Sequence, residues 1–249
     1  MVKGQQTYSS SHQEKVKIWL DSAEFYETQE QLIKAERLLN KSQPFIDSSG
    51  INELYFKFLT SNGSLNLKRR QLKEAQKQFS KALHIGKGLN RDVSVVYNYL
   101  ANVYSLETEY HKAQLYYDSA LVHAKKLNDE ERVIAITFNS ALIDISLNNS
   151  LSALKKYTEI RDLLIKDDPN KLMGTIDNNL GELYRTQLKD LKNAKKHLKS
   201  SIAYSKTYGK KHMHSIALHN LSLIYLEQDS LEQAKKNSLE SYRIKLEQK

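Results

Sequence analysis

Apolar side chains recur along this chain at steps of three and four residues, in runs separated by short polar breaks. The segment SVVYNYLANVYSLETEYHKAQLYYDSALVHA, starting at Ser94, shows the pattern most clearly. Tyr97, Leu100, Ala101 and Tyr104 form one apolar stripe, the spacing of a helix that buries a single face. Glu107 to Glu109 interrupts it, and Tyr110, Ala113, Tyr117, Ala120 and Leu121 form a second stripe. Small alanines let two helices approach closely, while the aromatics fill the space between neighbouring pairs. The predicted unit is a helix hairpin.

The unit recurs. A small alanine marks the second helix at Ala35, Ala75, Ala113, Ala153, Ala194 and Ala234, with steps of 40, 38, 40, 41 and 40 residues. A fixed period in this range means stacked copies of one supersecondary unit. Trp19, Ala23, Tyr26, Leu32, Ala35 and Leu39 form the first copy, and Gly63, Leu72, Ala75, Phe79, Ala82 and Leu83 the second. The fifth has Leu180, Gly181, Tyr184, Leu191, Ala194 and Leu198, with one extra residue in its inter-helix turn. The sixth has Leu221, Ser222, Tyr225, Leu231 and Ala234. The fourth is the weakest: it keeps Ala141, Ala153, Tyr157 and Ile160, but Ser140 and Asp144 stand where Leu and Tyr are expected. That aspartate either finds a partner or marks a locally irregular copy.

The order aromatic, Leu, Gly/Ala, Tyr on the first helix, then aromatic, Ala, aromatic, Ala on the second, resembles the tetratricopeptide repeat family across roughly residues 13–249. The usual family period is about 34 residues, so each unit here carries about six more. They sit around AKKLNDEERV and KDDPNK, as in the longer-period members that include kinesin light chains and bacterial peptide-sensing regulators. The resemblance implies an all-α, right-handed superhelical α-solenoid of tetratricopeptide-like helix hairpins, with a concave face lined by the first helices. One domain is predicted: an N-terminal extension at 1–12, then six repeats at approximately 13–50, 51–90, 91–129, 130–171, 172–211 and 212–249. Pro44 and Pro169 are expected just after second helices, where a helix stop belongs. The DSSG at 47–50 reads as an inter-repeat turn.

Composition narrows the chemistry. With no cysteine, disulfides, thiolate zinc sites and cysteine nucleophiles are excluded. Gly-rich phosphate loops, GxSxG and acidic metal clusters are absent, so neither catalysis nor a cofactor is predicted. His212, His214 and His219 are spaced by two and five, which does not place all three on one helical face, so no metal site is read there. The start MVKGQQTYSSSHQEKV lacks an apolar signal core, and the longest apolar stretches are too short to span a bilayer. The reading is a cytoplasmic chain, or alternatively a periplasmic sensor domain whose signal or membrane segment has been removed. The net charge of +9 is spread over both halves, with a local excess between Arg185 and Lys211. Lys192, Lys195, Lys196 and Lys199 share one helix face, expected to be exposed and convex. Without interleaved aromatics or a reader motif, that stripe makes nucleic-acid binding only a weaker alternative.

The first-helix faces of copies three to six are the candidate site. Asn139, Asn179 and Asn220 occupy one register; Asn98 and Asn178 lie one residue earlier in their copies, and Asn102 a turn further on. A primary amide donates and accepts, so it can grip an extended peptide's backbone in two places. Phe138 and Leu142, with Leu223 and His219, flank the amides, and Glu182 and Arg185 share the face at a spacing that lets them pair. The carboxylate clamp of chaperone-adaptor members is not matched, because the early groove positions hold residues such as Leu20, Glu24, Thr60 and Ser64. The predicted function is a non-catalytic scaffold that binds a protein or an extended peptide. The alternative is the ligand-sensing input region of a bacterial sensor kinase or transcriptional regulator. Leu239, Tyr242 and Leu246 are left uncovered on the last helix, which points to self-association or to a longer natural chain. Against that, Ser238 and Ser241 at core-facing positions would signal packing that tapers off.

Overall fold

The computed structural model describes residues 10–46, 53–168 and 171–248. Among these, twelve α-helices follow one another with no strand. They form six pairs: α1 (Ser10–Thr28) with α2 (Leu32–Ile46), α3 (Glu53–Lys68) with α4 (Leu72–Gly88), and α5 (Ser94–Leu106) with α6 (Tyr110–Lys126). Then come α7 (Glu130–Ser146) with α8 (Ser150–Lys166), α9 (Met173–Thr186) with α10 (Leu191–Thr207), and α11 (Lys211–Glu227) with α12 (Leu231–Leu246). The architecture is an all-α solenoid of helix hairpins. Two compact units, Met1–Ile136 and Thr137–Lys249, divide the chain within α7. Pro169 and the DSSG turn lie outside the described residues.

Each hairpin closes through the same turn. Glu30, Arg70, Thr108, Asn148, Lys189 and Asp229, one per first-to-second turn, adopt left-handed φ values of 53–61°. The next N–H then bonds back across the turn, from Gln31 to the Tyr26 carbonyl (2.9 Å), Glu109 to Tyr104 (2.9 Å) and Ser230 to Tyr225 (2.8 Å). This is the Schellman closure of a helix C-terminus, which satisfies carbonyls the helix leaves open. In the fifth pair the bond runs from Asp190 to Tyr184, one residue longer, which absorbs the extra residue of that turn. None of the six left-handed residues is glycine, so each carries a steric cost of about 1 kcal/mol. The cost is greatest for β-branched Thr108.

Packing within a hairpin rests on small residues. A Cβ added at Gly181 of α9 would lie 2.6 Å from Leu198 Cγ and 3.2 Å from the Ala194 carbonyl, both on α10. In the first unit one core runs through Val16, Leu20, Ala23, Ala35, Leu39 and Phe79; in the second, Ala194, Leu198, Leu221 and Ile224 form a cluster.

Three expectations need correction. Leu20, taken as a groove position, is fully buried, because it faces that first core rather than the open side of α1. Pro44 lies inside α2, near its end. There it removes a single helical hydrogen bond, and the helix runs on to Ile46, which is buried. Ser238 is exposed, while Ser241 is buried and exchanges hydrogen bonds with Ser215 of α11.

Two substitutions test this account. Thr108→Asn, which adopts left-handed φ more readily, is expected to stabilise the chain by about 0.5–1 kcal/mol. Gly181→Ala is expected to destabilise by about 1–3 kcal/mol, because overpacking outweighs the helix preference for Ala. Urea midpoints at unchanged slope measure both.

Candidate functional site

The second unit joins its first-helix amides into a chain. Asn220 Nδ2 on α11 donates to Asn178 Oδ1 on α9 at 3.1 Å. Asn178 Nδ2 donates to Asn179 Oδ1 (3.4 Å), and Asn179 Nδ2 to the Tyr157 hydroxyl of α8 (3.4 Å). Burial pushes the Tyr157 phenol up to about 12, against the opposing bond from Asn179, so it stays neutral. Asn178 is buried, and Asn179 and Asn220 are half-buried. The chain uses one N–H of each amide and one acceptor site on the Asn178 and Asn179 carbonyls, out of two N–H groups and a two-lone-pair carbonyl apiece.

Other candidate residues are placed differently. Asn98 and Asn139 are held by neighbours. The Asn102 carbonyl accepts the Tyr117 hydroxyl across its own hairpin, so it braces α5 against α6. Phe138 meets Tyr157 edge to face, with ring centroids 5.9 Å apart. Leu142 and His219 are exposed, and Leu223 is half-buried. Arg185 donates to Glu182 (2.7 Å) and to Glu227 (2.6 Å), which ties α9 to the end of α11.

Buried charge holds these helices in register. Asp177, fully buried on α9 beside Asn178, accepts from Arg161 Nε of α8 (3.0 Å), and His197 Nδ1 (2.9 Å) and Ser200 Oγ of α10 also bond it. Burial alone would push its carboxyl up; the His197, Ser200 and Arg161 partners outweigh this and hold it below the usual carboxylate range. In the fourth pair, Asp144 takes Lys156 Nζ (2.7 Å) and Ser152 Oγ (2.6 Å), and Lys156 also donates to Ser140 (2.6 Å). The two polar residues that made this copy look weak share one cation.

The first unit holds a cleft that the amide pattern did not mark. The faces of α1, α3 and α5 enclose about 500 Å³, lined by apolar Leu54, Phe56, Val95 and Tyr99 and by charged Glu24, Lys57 and Arg91. The charges are already paired: Lys57 with Asp21 and with Glu24 (3.6 Å), and Arg91 with Glu53 (2.8 Å). Buried Glu27 accepts Ser64 and lies 3.5 Å from Lys68. Glu24, Thr60 and Ser64 stand at first-helix groove positions in the sequence, so register located them; their lack of amides hid their role.

Elsewhere, Lys195 lies 4.9 Å over the Tyr225 ring and is half-buried, leaving Lys192, Lys196 and Lys199 on the exposed face. His214 is buried, its Nε2 4.0 Å from Glu240 Oε1 with no hydrogen-bond partner, and among the described residues no three His, Asp or Glu side chains gather as a metal site would require. No described helix is long and apolar enough to cross a membrane.

The sequence model of the Tetratricopeptide repeat family matches residues 172–247. Those residues, α9 to α12, carry tetratricopeptide repeats. Among curated proteins, none matches the chain significantly. The array of helix hairpins superposes on BtubC (BKLC) of P. vanneervenii with a TM-score of 0.72 at 21% identity, over 88% of this chain and 91% of that one. The apo quorum sensor NprR of B. thuringiensis gives 0.77 at 15% identity, over 92% and 64%. NprR in complex with its cognate peptide NprX gives 0.65 at 16%, over 89% and 64%. The chain therefore spans less than two thirds of NprR, and at these identities the likeness is one of fold.

Asp177→Asn is expected to cost about 3 kcal/mol at neutral pH, because Arg161 then loses its buried counter-charge. Since the folded carboxyl titrates below its ordinary value of 3.8, Asp177 stabilises fully above that pH and loses its contribution as pH falls through the folded value. Urea titrations of both proteins should therefore converge in acid, below that value.

Proposed function

We propose that the chain is a non-catalytic array that binds an extended peptide or protein segment on its first-helix faces. The observation that carries this reading is the cleft on α1, α3 and α5. Its volume of about 500 Å³ lies within the range of ligand pockets, and it combines apolar lining with a few polar groups. The Asn178, Asn179 and Asn220 chain supplies a second element: an extended backbone alternates donors and acceptors, which primary amides match. Among structures of the same fold, NprR is described in complex with its cognate peptide.

Several ionisable groups on these faces are committed to pairs between neighbouring helices, as in Lys57 with Asp21 and Arg185 with Glu227. That commitment favours holding a ligand over transferring its protons. An apolar side chain of the ligand would enter beside Phe56 and Tyr99, with its polar flanks against Glu24 and Arg91.

The test is selection of a displayed random-peptide library on the purified protein, followed by fluorescence polarisation with enriched peptides. Thr60→Trp, which fills the cleft, should weaken peptides that bind there roughly tenfold or more. Asn179→Ala and Asn220→Ala should weaken peptides held on the amide chain several-fold. Enrichment no greater than on an unrelated protein, or affinities unmoved by all three changes, would refute the reading.

A further inference from the structure

Six pairs of helices provide an internal control on what each end of the array is built to meet. Let first-helix positions be counted from the small contact residue (Ala23 in α1, Ala101 in α5, Gly181 in α9) and second-helix positions from the marker alanine. Five before and two after the contact residue, first helices carry a closed apolar pair. Examples are Phe58 and Leu65 in α3, Val96 and Val103 in α5, and Ala217 and Ile224 in α11, none more than 5% exposed. No described hairpin follows α12, yet the α11 pair is closed, so the preceding hairpin is what closes it. In α1 the same two positions are Ile18 and Phe25, 55% and 60% exposed. The first described helix thus keeps, in apolar form, the surface that elsewhere receives a preceding second helix.

The contacts between a second helix and the next first helix also obey a rule. Position +1 meets +3: Gln76 Nε2 donates to the Tyr104 hydroxyl at 2.8 Å, and Lys195 lies over Tyr225. Position +4 meets −2: Phe79 stacks on Tyr99 at 4.9 Å, and Tyr157 accepts from Asn179. Position +8 meets −4: Arg161 reaches Asp177. On α12 these positions are Lys235, Ser238 and Tyr242, all exposed. On α1 the answering positions are Tyr26, Asp21 and Trp19. The rule would place a cation over a ring, a hydroxyl against a carboxylate, and two aromatics together.

Two further observations agree. Tyr104 takes Lys112 of its own hairpin over its ring (5.4 Å) as well as Gln76 from the preceding one. Tyr26 has Lys34 in the Lys112 place (5.2 Å), and no described residue bonds its hydroxyl as Gln76 bonds that of Tyr104. Whole-helix charge is complementary as well. Helix α1 carries four carboxylates and two lysines, although Asp21 and Glu24 already pair with Lys57 and Glu27 is buried near Lys68. Helix α12 carries four basic residues and two carboxylates. The end rung alone is mixed, since Lys245 would meet Glu14 and Lys15 together.

We propose that α12 of one molecule docks on α1 of a second copy, continuing the helix stack head to tail. Such a contact uses two different surfaces, so each molecule keeps one unused end and growth can continue.

Sedimentation velocity from low to high micromolar concentration tests this, using wild type, Phe25→Glu (head blocked) and Tyr242→Glu (tail blocked). Both side chains are exposed, and circular dichroism with melting confirms that each variant folds. Wild type should form species that lengthen with concentration, and each variant should self-associate roughly tenfold or more weakly. An equimolar mixture of the two variants should form a one-to-one dimer and nothing larger, because a single compatible pair of ends remains. The proposal is overturned by a wild type that stays monomeric, by a mixture that stays monomeric, or by a Tyr242→Glu protein that dimerises like wild type. The last result would indicate a symmetric α1-to-α1 contact instead.

Discussion

The close approach of two helices at a position with no room for a side chain is the constraint from which most of this structure follows. At Gly181 the opposing Leu198 already occupies the space of a β-carbon, and Gly63 stands in the same relation to Phe79. A contact that tight fixes the axial register of the two helices, since sliding either one would drive a larger residue into the gap. Register, once fixed, decides which residues face the core, which face the next pair, and which face outward. The left-handed turn residues serve the same end: they reverse the chain within a few residues so that the marker alanine arrives opposite its partner.

That constraint also sets where the chain can bury charge. Buried ions here are not isolated. Asp177 gathers Arg161, His197 and Ser200 from two helices, and Asp144 gathers Lys156 and Ser152. Each set spans neighbouring helices, so burying the charge and aligning the helices are one event. Removing a partner leaves an ion without its solvation, so exchange at such positions is expected to cost stability, whereas the exposed lysines of α10 make no comparable demand.

How much of this could be read from the sequence differs with the range of the interaction. The hairpins were legible because Tyr97, Leu100, Ala101 and Tyr104 report a single helix face, and the alanine steps report a repeat; both are local. Pro44 was misplaced because its cost is set by how many helical bonds lie beyond it, which depends on the burial of Ile46. Asn102 was grouped with the groove amides, yet its carbonyl answers Tyr117 fifteen residues on. The cleft of the first unit was missed for a related reason. Its character comes from pairs such as Lys57 with Asp21, separated by 36 residues, and nothing in either helix alone announces them.

The repeated register has a consequence that no single copy reveals. Because each first helix meets its predecessor through the same positions, the identity of a terminal helix can be judged against its siblings and not against an average protein surface. By that standard α1 and α12 differ. The +4 position of α12 has become Ser238 and its +11 position Lys245, where α4 has Phe79 and Gly86, both buried. Those are substitutions toward a polar end. On α1 it is the −5 and +2 positions, closed in α3, α5 and α11, that stay apolar and exposed at Ile18 and Phe25, with carboxylates nearby. An apolar, acidic face and a polar, basic one are unequal to themselves and matched to each other, and that asymmetry favours joining unlike ends over pairing like ones.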